Sequence, residues 1–263
     1  MPSSDRLPWP AEWPHHSGRR YWPGIVLLAL FGLVAFGAGL GFVAIGVPGG
    51  VKYGLLAALM FMFGAFAMYY TRVRRPAGYT DVRSDHPATE MRYSLVAFVC
   101  LVGLMCCATA IFVLAAVDYW RGGTTAAALV FGVLGLGTAT FVVAVLTGRV
   151  RRGRLTLSAA GIEQRGWTFS SFLPWEAFAG VKATYNGRPE VLVIAYANAE
   201  WRKQQFTRLW KIDRLPPVPM IEVDCAQFAV PPEGLYALLK HYIEHPEARV
   251  ELGTDAVLTR LSG

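Results

Sequence analysis

The sequence predicts an α + β protein: a four-helix transmembrane bundle made of two hairpins, followed by a small β-barrel or sandwich with a C-terminal capping helix. Three observations predict it. Four uncharged runs, Tyr21–Val51, Tyr53–Thr71, Tyr93–Val117 and Gly122–Gly148, fill the first half of the chain. Beyond Gly148 the pattern changes to short alternating segments. Near the C-terminus one amphipathic stretch closes the series. Of 263 residues, 54% are hydrophobic and only 16% charged, against about 25% charged in average soluble domains.

A bilayer core needs about 20 apolar residues in a helix, and its interior satisfies no exposed backbone polar group. The four runs therefore predict helices near 24–46, 52–71, 94–117 and 125–148, within a membrane domain spanning 21–148. Residues 1–20 precede it as a tail, and residues 149–263 follow it. The helix interiors hold no Asp, Glu, Lys, Arg or His; Lys52 and Asp118 stand only at the outer ends. That argues against a pump or coupled transporter, whose pathways use intramembrane ionisable groups. The "GAGLG" stretch, Gly37–Gly41, contains a GxxxG spacing that permits close helix approach, within the chain or between copies.

Orientation follows from Lys and Arg in the flanks. The basic residues alternate between rich and poor connections: Arg6, Arg19 and Arg20; then Lys52; then Arg72, Arg74, Arg75, Arg83 and Arg92; then Arg121; then Arg149, Arg151, Arg152 and Arg154. This places both termini and the middle connection in the cytoplasm. The tetrapeptide Arg-Val-Arg-Arg occurs twice, at 72–75 and 149–152, as a stop-transfer flank closing each hairpin. The echo fits either a duplicated hairpin or two independent uses of the same interface residues.

The N-terminal stretch "MPSSDRLPWPAEWPHHSGRR" lacks a signal-peptide cleavage pattern, so the first helix reads as an uncleaved anchor. Trp9, Trp13 and Trp22 are expected at the headgroup level or, for residues 1–18, in a disordered tail. Three of the four cysteines, Cys100, Cys106 and Cys107, share one apolar run with no disulfide framework, and Cys225 stands apart.

From Arg154 the period becomes that of strands. "RLTLS" and "GIEQRGW" suggest a hairpin with Gly161 in its turn. "FSSFLPW", "FAGVKATY", "EVLVIAY", "MIEVD" and "QFAV" bring the expected count to seven. "PPEGLYALLKHYIEH" reads as a helix opened by Pro232 and stopped by Pro246, with Leu235, Leu238, Leu239, Tyr242 and Ile243 as its apolar stripe.

This order, and the wording "LTLSAAGIEQRGW…FLPWEAFAGVKA", resembles the PH-domain-containing integral membrane proteins of actinobacteria over about residues 154–245. The resemblance implies a PH-like fold and a membrane-anchored interaction domain, and it supplies no catalytic residues to carry over. Together with the charge alternation it leads to the expectation of a bacterial inner (plasma) membrane protein. Phosphoinositide-binding PH domains carry basic residues around the first strand–strand turn. Here that turn is Ser158-Ala159-Ala160-Gly161, and specific inositol-phosphate binding is not expected.

The strongest candidate site is "WRKQQFTRLWKIDRL", 201–215. Trp201, Arg202, Lys203, Phe206, Arg208, Trp210, Lys211 and Arg214 combine basic and aromatic character, which suits the face of an anionic bilayer. Residues 149–214 hold twelve basic and five acidic side chains, whereas 215–263 hold three and seven. The competing reading is a long loop whose aromatics pack on the barrel while its charges are solvated; a protein-partner groove is a third. "HYIEH", 241–245, matches the H-x-x-E-H pattern of some zinc peptidases, but its place at a helix end makes His241, Glu244 and His245 solvated surface residues. No nucleic-acid-reading motif accompanies the charge. The expected function is non-enzymatic, without metal or cofactor: an anchored scaffold or sensor whose partners are the bilayer, anionic lipid, another membrane protein or a second copy. The alternative is an accessory subunit of a membrane transporter or enzyme complex.

Overall fold

The computed structural model describes residues 9–14, 18–47, 49–74, 81–85 and 87–262. The chain forms two compact units, neither continuous in sequence. One comprises residues 17–74 and 96–150; the other comprises 1–16, 75–95 and 151–263.

The first unit is helical: α1 (Trp22–Ala44), α2 (Gly50–Arg72), α3 (Leu95–Arg121) and α4 (Thr125–Leu146). Each is long and apolar enough to cross a membrane, with mean hydropathy between 1.7 and 2.7. The boundaries match the expected spans to within a few residues, and α3 runs on through Asp118 to Arg121. Leu33, Val34, Val133 and Leu136 stand exposed on these helices, the arrangement a hydrocarbon solvent accepts and water does not. α1 and α2 approach closely at glycine. A Cβ on Gly54 would lie 2.7 Å from the Gly39 Cα and 2.8 Å from the Ala35 carbonyl. The GxxxG pair Gly37 and Gly41 is not the contact; neither has a described neighbour within 4 Å of such a Cβ. Two residues carry the chain more than half a turn round a helix, so Gly39 faces the partner and its flanking glycines face away. Lys52 and Asp118, at the ends of α2 and α3, form an ion pair at 2.5 Å, and the Tyr53 hydroxyl donates to Asp118 at 2.7 Å.

The second unit is a β-sandwich. Its strands are β1 (Val82–Asp85), β2 (Ala88–Arg92), β3 (Arg154–Ser158), β4 (Gly161–Arg165), β5 (Phe169–Pro174), β6 (Phe178–Tyr185), β7 (Pro189–Ala195), β8 (Arg202–Gln205) and β9 (Met220–Asp224). One antiparallel sheet has the order β1-β2-β3-β4-β5-β8, the other β6-β7-β9. Leu155, Leu157, Ile162 and Leu173 from the first sheet meet Val191, Val193, Ile221 and Val223 from the second in one core. α5 (Pro232–Glu244) adds Leu235, Leu238, Leu239 and Tyr242, with Ile243 at the margin, as its stripe predicts. α6 (Ala256–Ser262) packs on α5. Each such aliphatic side chain contributes about 1.5–3 kcal/mol through burial.

Several expectations need correction. β1 and β2 occur where the sequence suggests only a connection between spans. β2 pairs with β3 in register from Ala88↔Ser158 to Arg92↔Arg154. "QFAV" is not a strand: Cys225–Gln227 form a 3-10 turn capped by Asp224, and Phe228 makes one isolated bridge to Tyr93. The strand read into "GIEQRGW" ends at Arg165. Trp13 is at neither a headgroup nor a free tail; it lies in the sandwich core. Adjacent His15 and His16, expected as solvated tail residues, fall outside the described residues, as do the flank residues Arg6 and Arg75. Gly161 takes φ +152°, and a Cβ there would meet the Leu173 carbonyl at 2.3 Å, so this turn requires glycine on both counts. All four cysteines are free thiols.

Candidate membrane-facing site

The segment 201–215 divides into a strand and a clamped loop. Its first part is β8, which pairs with β5 from Phe172↔Arg202 to Phe169↔Gln205. All four β8 residues are exposed. Among the described residues β8 has a strand neighbour on one side only. Its basic side chains rest on aromatic faces: Arg202 lies 4.2 Å over Phe172, and Lys203 lies 4.3 Å over Trp201. Trp201 is half-buried against the core and donates its indole N–H to the Ser171 hydroxyl at 2.7 Å. Phe206 lies under the Arg165 guanidinium at 3.7 Å. Trp201 and Phe206 thus follow the packing alternative: they fasten the segment to the sandwich.

The loop after Phe206 is held by Asp213. Its carboxylate accepts hydrogen bonds from the backbone N–H of Trp167, from that of Thr168 at 3.1 Å, and from the Thr168 hydroxyl. A Cβ on Gly166 would sit 2.2 Å from the Asp213 Oδ2, so glycine is what lets the carboxylate approach this turn. Phe206 N–H donates to the Thr168 carbonyl at 2.8 Å, and the Thr207 hydroxyl closes the loop onto the Trp210 carbonyl at 2.5 Å.

With its base fixed, the loop presents Leu209, 69% exposed, and Ile212, 41% exposed, with Arg208, Lys211 and Arg214 exposed around them. Trp210 is half-buried. The outward apolar groups are therefore aliphatic rather than aromatic. Sequence alone had no means of telling which apolar side chains of this run face out, because Asp213 sets their direction through a turn 45 residues earlier. Arg165 adds positive charge beside the loop. Burial pushes its pKa down, and Arg151 nearby pushes the same way, while Asp213 opposes.

The flanking arginines have separate places. Arg72 ends α2 and lies over the Tyr21 ring at 5.4 Å, and Arg74 lies over Tyr70 at 4.7 Å. Arg149 and Arg151 are exposed. Arg152 is engaged inside the sandwich unit: its Nε donates to the Tyr93 carbonyl and its guanidinium pairs with Asp81 at 2.8 Å. It thus ties the strand-bearing segment before α3 to the segment after α4.

His241 and His245 stack at 4.7 Å, while Glu244 faces Lys240 at 3.9 Å. Among the described residues no three His, Cys, Asp or Glu side chains gather as a metal site.

In comparison with known families, residues 152–215 match the bacterial PH domain. The match runs from the start of the sandwich unit's third chain segment through β8 and the clamped loop. No curated protein and no solved structure matches the chain. The similarity and the four apolar helices together describe a membrane-associated module carrying a PH-like domain.

Proposed function

We propose that the protein is a non-enzymatic anchored interaction module of a bacterial plasma membrane, with the 206–214 loop facing anionic lipid. The observation that carries this reading is the loop tip: exposed Leu209 and Ile212 ringed by Arg208, Lys211 and Arg214, on a base clamped by Asp213. Aliphatic side chains enter the acyl boundary while cations stay among headgroups. Each cation near an anionic surface contributes about 1 kcal/mol. The clamp means little ordering entropy is lost on contact. The alternation of Lys and Arg across the spans supports a cytoplasmic position for both termini, the side on which anionic lipid would meet this loop.

Hydrogen exchange of the full chain in nanodiscs tests the reading. The amides of 206–214 should exchange more slowly in anionic than in zwitterionic bilayers, and 0.5 M salt should reduce the difference. Identical exchange in both bilayers would refute lipid contact. A second reading, an accessory subunit of a transporter or enzyme complex, draws on β8, whose outer edge has no described strand partner and suits strand addition by another protein. Stoichiometric copurification with one protein, together with protection of β8 rather than the loop, would favour it.

A further inference from the structure

The segment Trp9–Pro14 lies far in sequence from what it touches. Trp13 is 2% exposed, and its indole N–H donates to the Thr184 carbonyl at 2.8 Å. Its ring meets Tyr236 edge-on at 5.9 Å. Trp9 packs edge-on against Trp13 at 5.4 Å and donates its own indole N–H to the Trp13 carbonyl at 2.8 Å. The backbone closes one turn, Trp13 N–H to the Pro10 carbonyl at 3.1 Å, and forms neither helix nor strand.

Thr184 belongs to β6, which among the described residues has a strand neighbour on one side only, and Tyr236 belongs to α5, which packs on β6. The crevice between the β6 edge and α5 is therefore filled by a short turn anchored through its tryptophans. That is the anatomy of a bound peptide: one large aromatic anchor in a desolvated pocket with its polar atom satisfied.

We propose that the crevice between β6 and α5 is a peptide-binding groove for a Trp-anchored, proline-flanked segment, and that residues 9–14 are its resident ligand. Pro10 and Pro14 restrict the free segment and so reduce what is lost on binding. A tethered ligand acts at an effective concentration on the order of millimolar, which keeps the groove filled in the intact chain. The groove opens when the N-terminal segment is drawn away, and the PH-like unit then becomes available to a peptide of the same chemistry. This site shares no residue with the 201–215 segment, so it stands or falls independently of the lipid reading.

The test uses the full chain in nanodiscs and a labelled peptide of residues 7–16. The Trp13→Ala chain should bind the peptide saturably at roughly micromolar concentration. The intact chain should bind it at least about tenfold more weakly, because its own segment competes. A peptide carrying Trp13→Ala should not bind. A folded Trp13→Ala chain that ignores the peptide overturns the proposal. Should that variant melt below the assay temperature, recovery of its folded state on adding peptide supports the groove, and failure to recover overturns it, leaving Trp13 an inseparable part of the core.

Discussion

Asp213 is a single carboxylate that decides the direction of a whole loop. Hydrogen bonds to a charged acceptor contribute about 1.5–3 kcal/mol each and are not additive, and Asp213 accepts three. Asp213→Ala should lower unfolding stability by about 2–4 kcal/mol, read by chemical denaturation, and raise hydrogen exchange across 206–214. Gly166→Ala should act in the same direction, since the added methyl takes the place of the carboxylate oxygen. Glu190 offers a pH prediction. It is 3% exposed, and burial raises its pKa above the ordinary glutamate value despite the Arg188 hydrogen bond, with Glu222 adding to the rise. The folded state therefore binds the proton more readily than the unfolded state. Stability from this group is present below the ordinary glutamate range and falls as pH rises through the folded value. Glu190→Gln should flatten that acid-side slope in a melting series.

Among the elements, the β1–β2 hairpin bears most directly on how this protein is to be handled. It supplies two strands of the six-stranded sheet from between α2 and α3. Met91 is fully buried, and the buried Thr89 hydroxyl accepts a hydrogen bond from Gly253 N–H at 2.9 Å. An excised fragment 149–263 lacks this hairpin and exposes the β3 edge, a template for aggregation. It should form a loosely packed or aggregating species by near-ultraviolet circular dichroism, and residues 81–93 supplied in trans or by fusion should restore structure. In the full chain, Met91→Ala should cost about 2–5 kcal/mol. The hairpin was not legible in the sequence. Its strands have four and five residues, their charges make them read as a basic cytoplasmic connection, and their partner β3 begins some sixty residues later. α5 was legible because its whole apolar stripe lies within 13 residues and repeats with the helical period.

For the molecule as a whole, membrane anchoring and the PH-like unit meet in one chain, and the 201–215 segment is where charge would act over distance. Replacing Arg208, Lys211 and Arg214 together with Glu should abolish the anionic-lipid protection of the loop while leaving the melting temperature nearly unchanged, since all three are exposed. Loss of fold in that variant would place these side chains in packing rather than in lipid contact.

By itself the sequence determined the four apolar helices, the strand-rich half and its closing helix, because hydropathy and period are local properties that act through the solvent next to each residue. Only the tertiary structure decided that Trp13 enters the sandwich core, that residues 82–92 complete its larger sheet, that Gly39 rather than Gly37 or Gly41 meets α2, and that Leu209 and Ile212 face outward while Trp201 and Phe206 face in. Each of these depends on a partner in another segment, from Gly54 on the next helix for Gly39 to Thr184 on β6 for Trp13, and such contacts leave no periodic trace in the segments that make them.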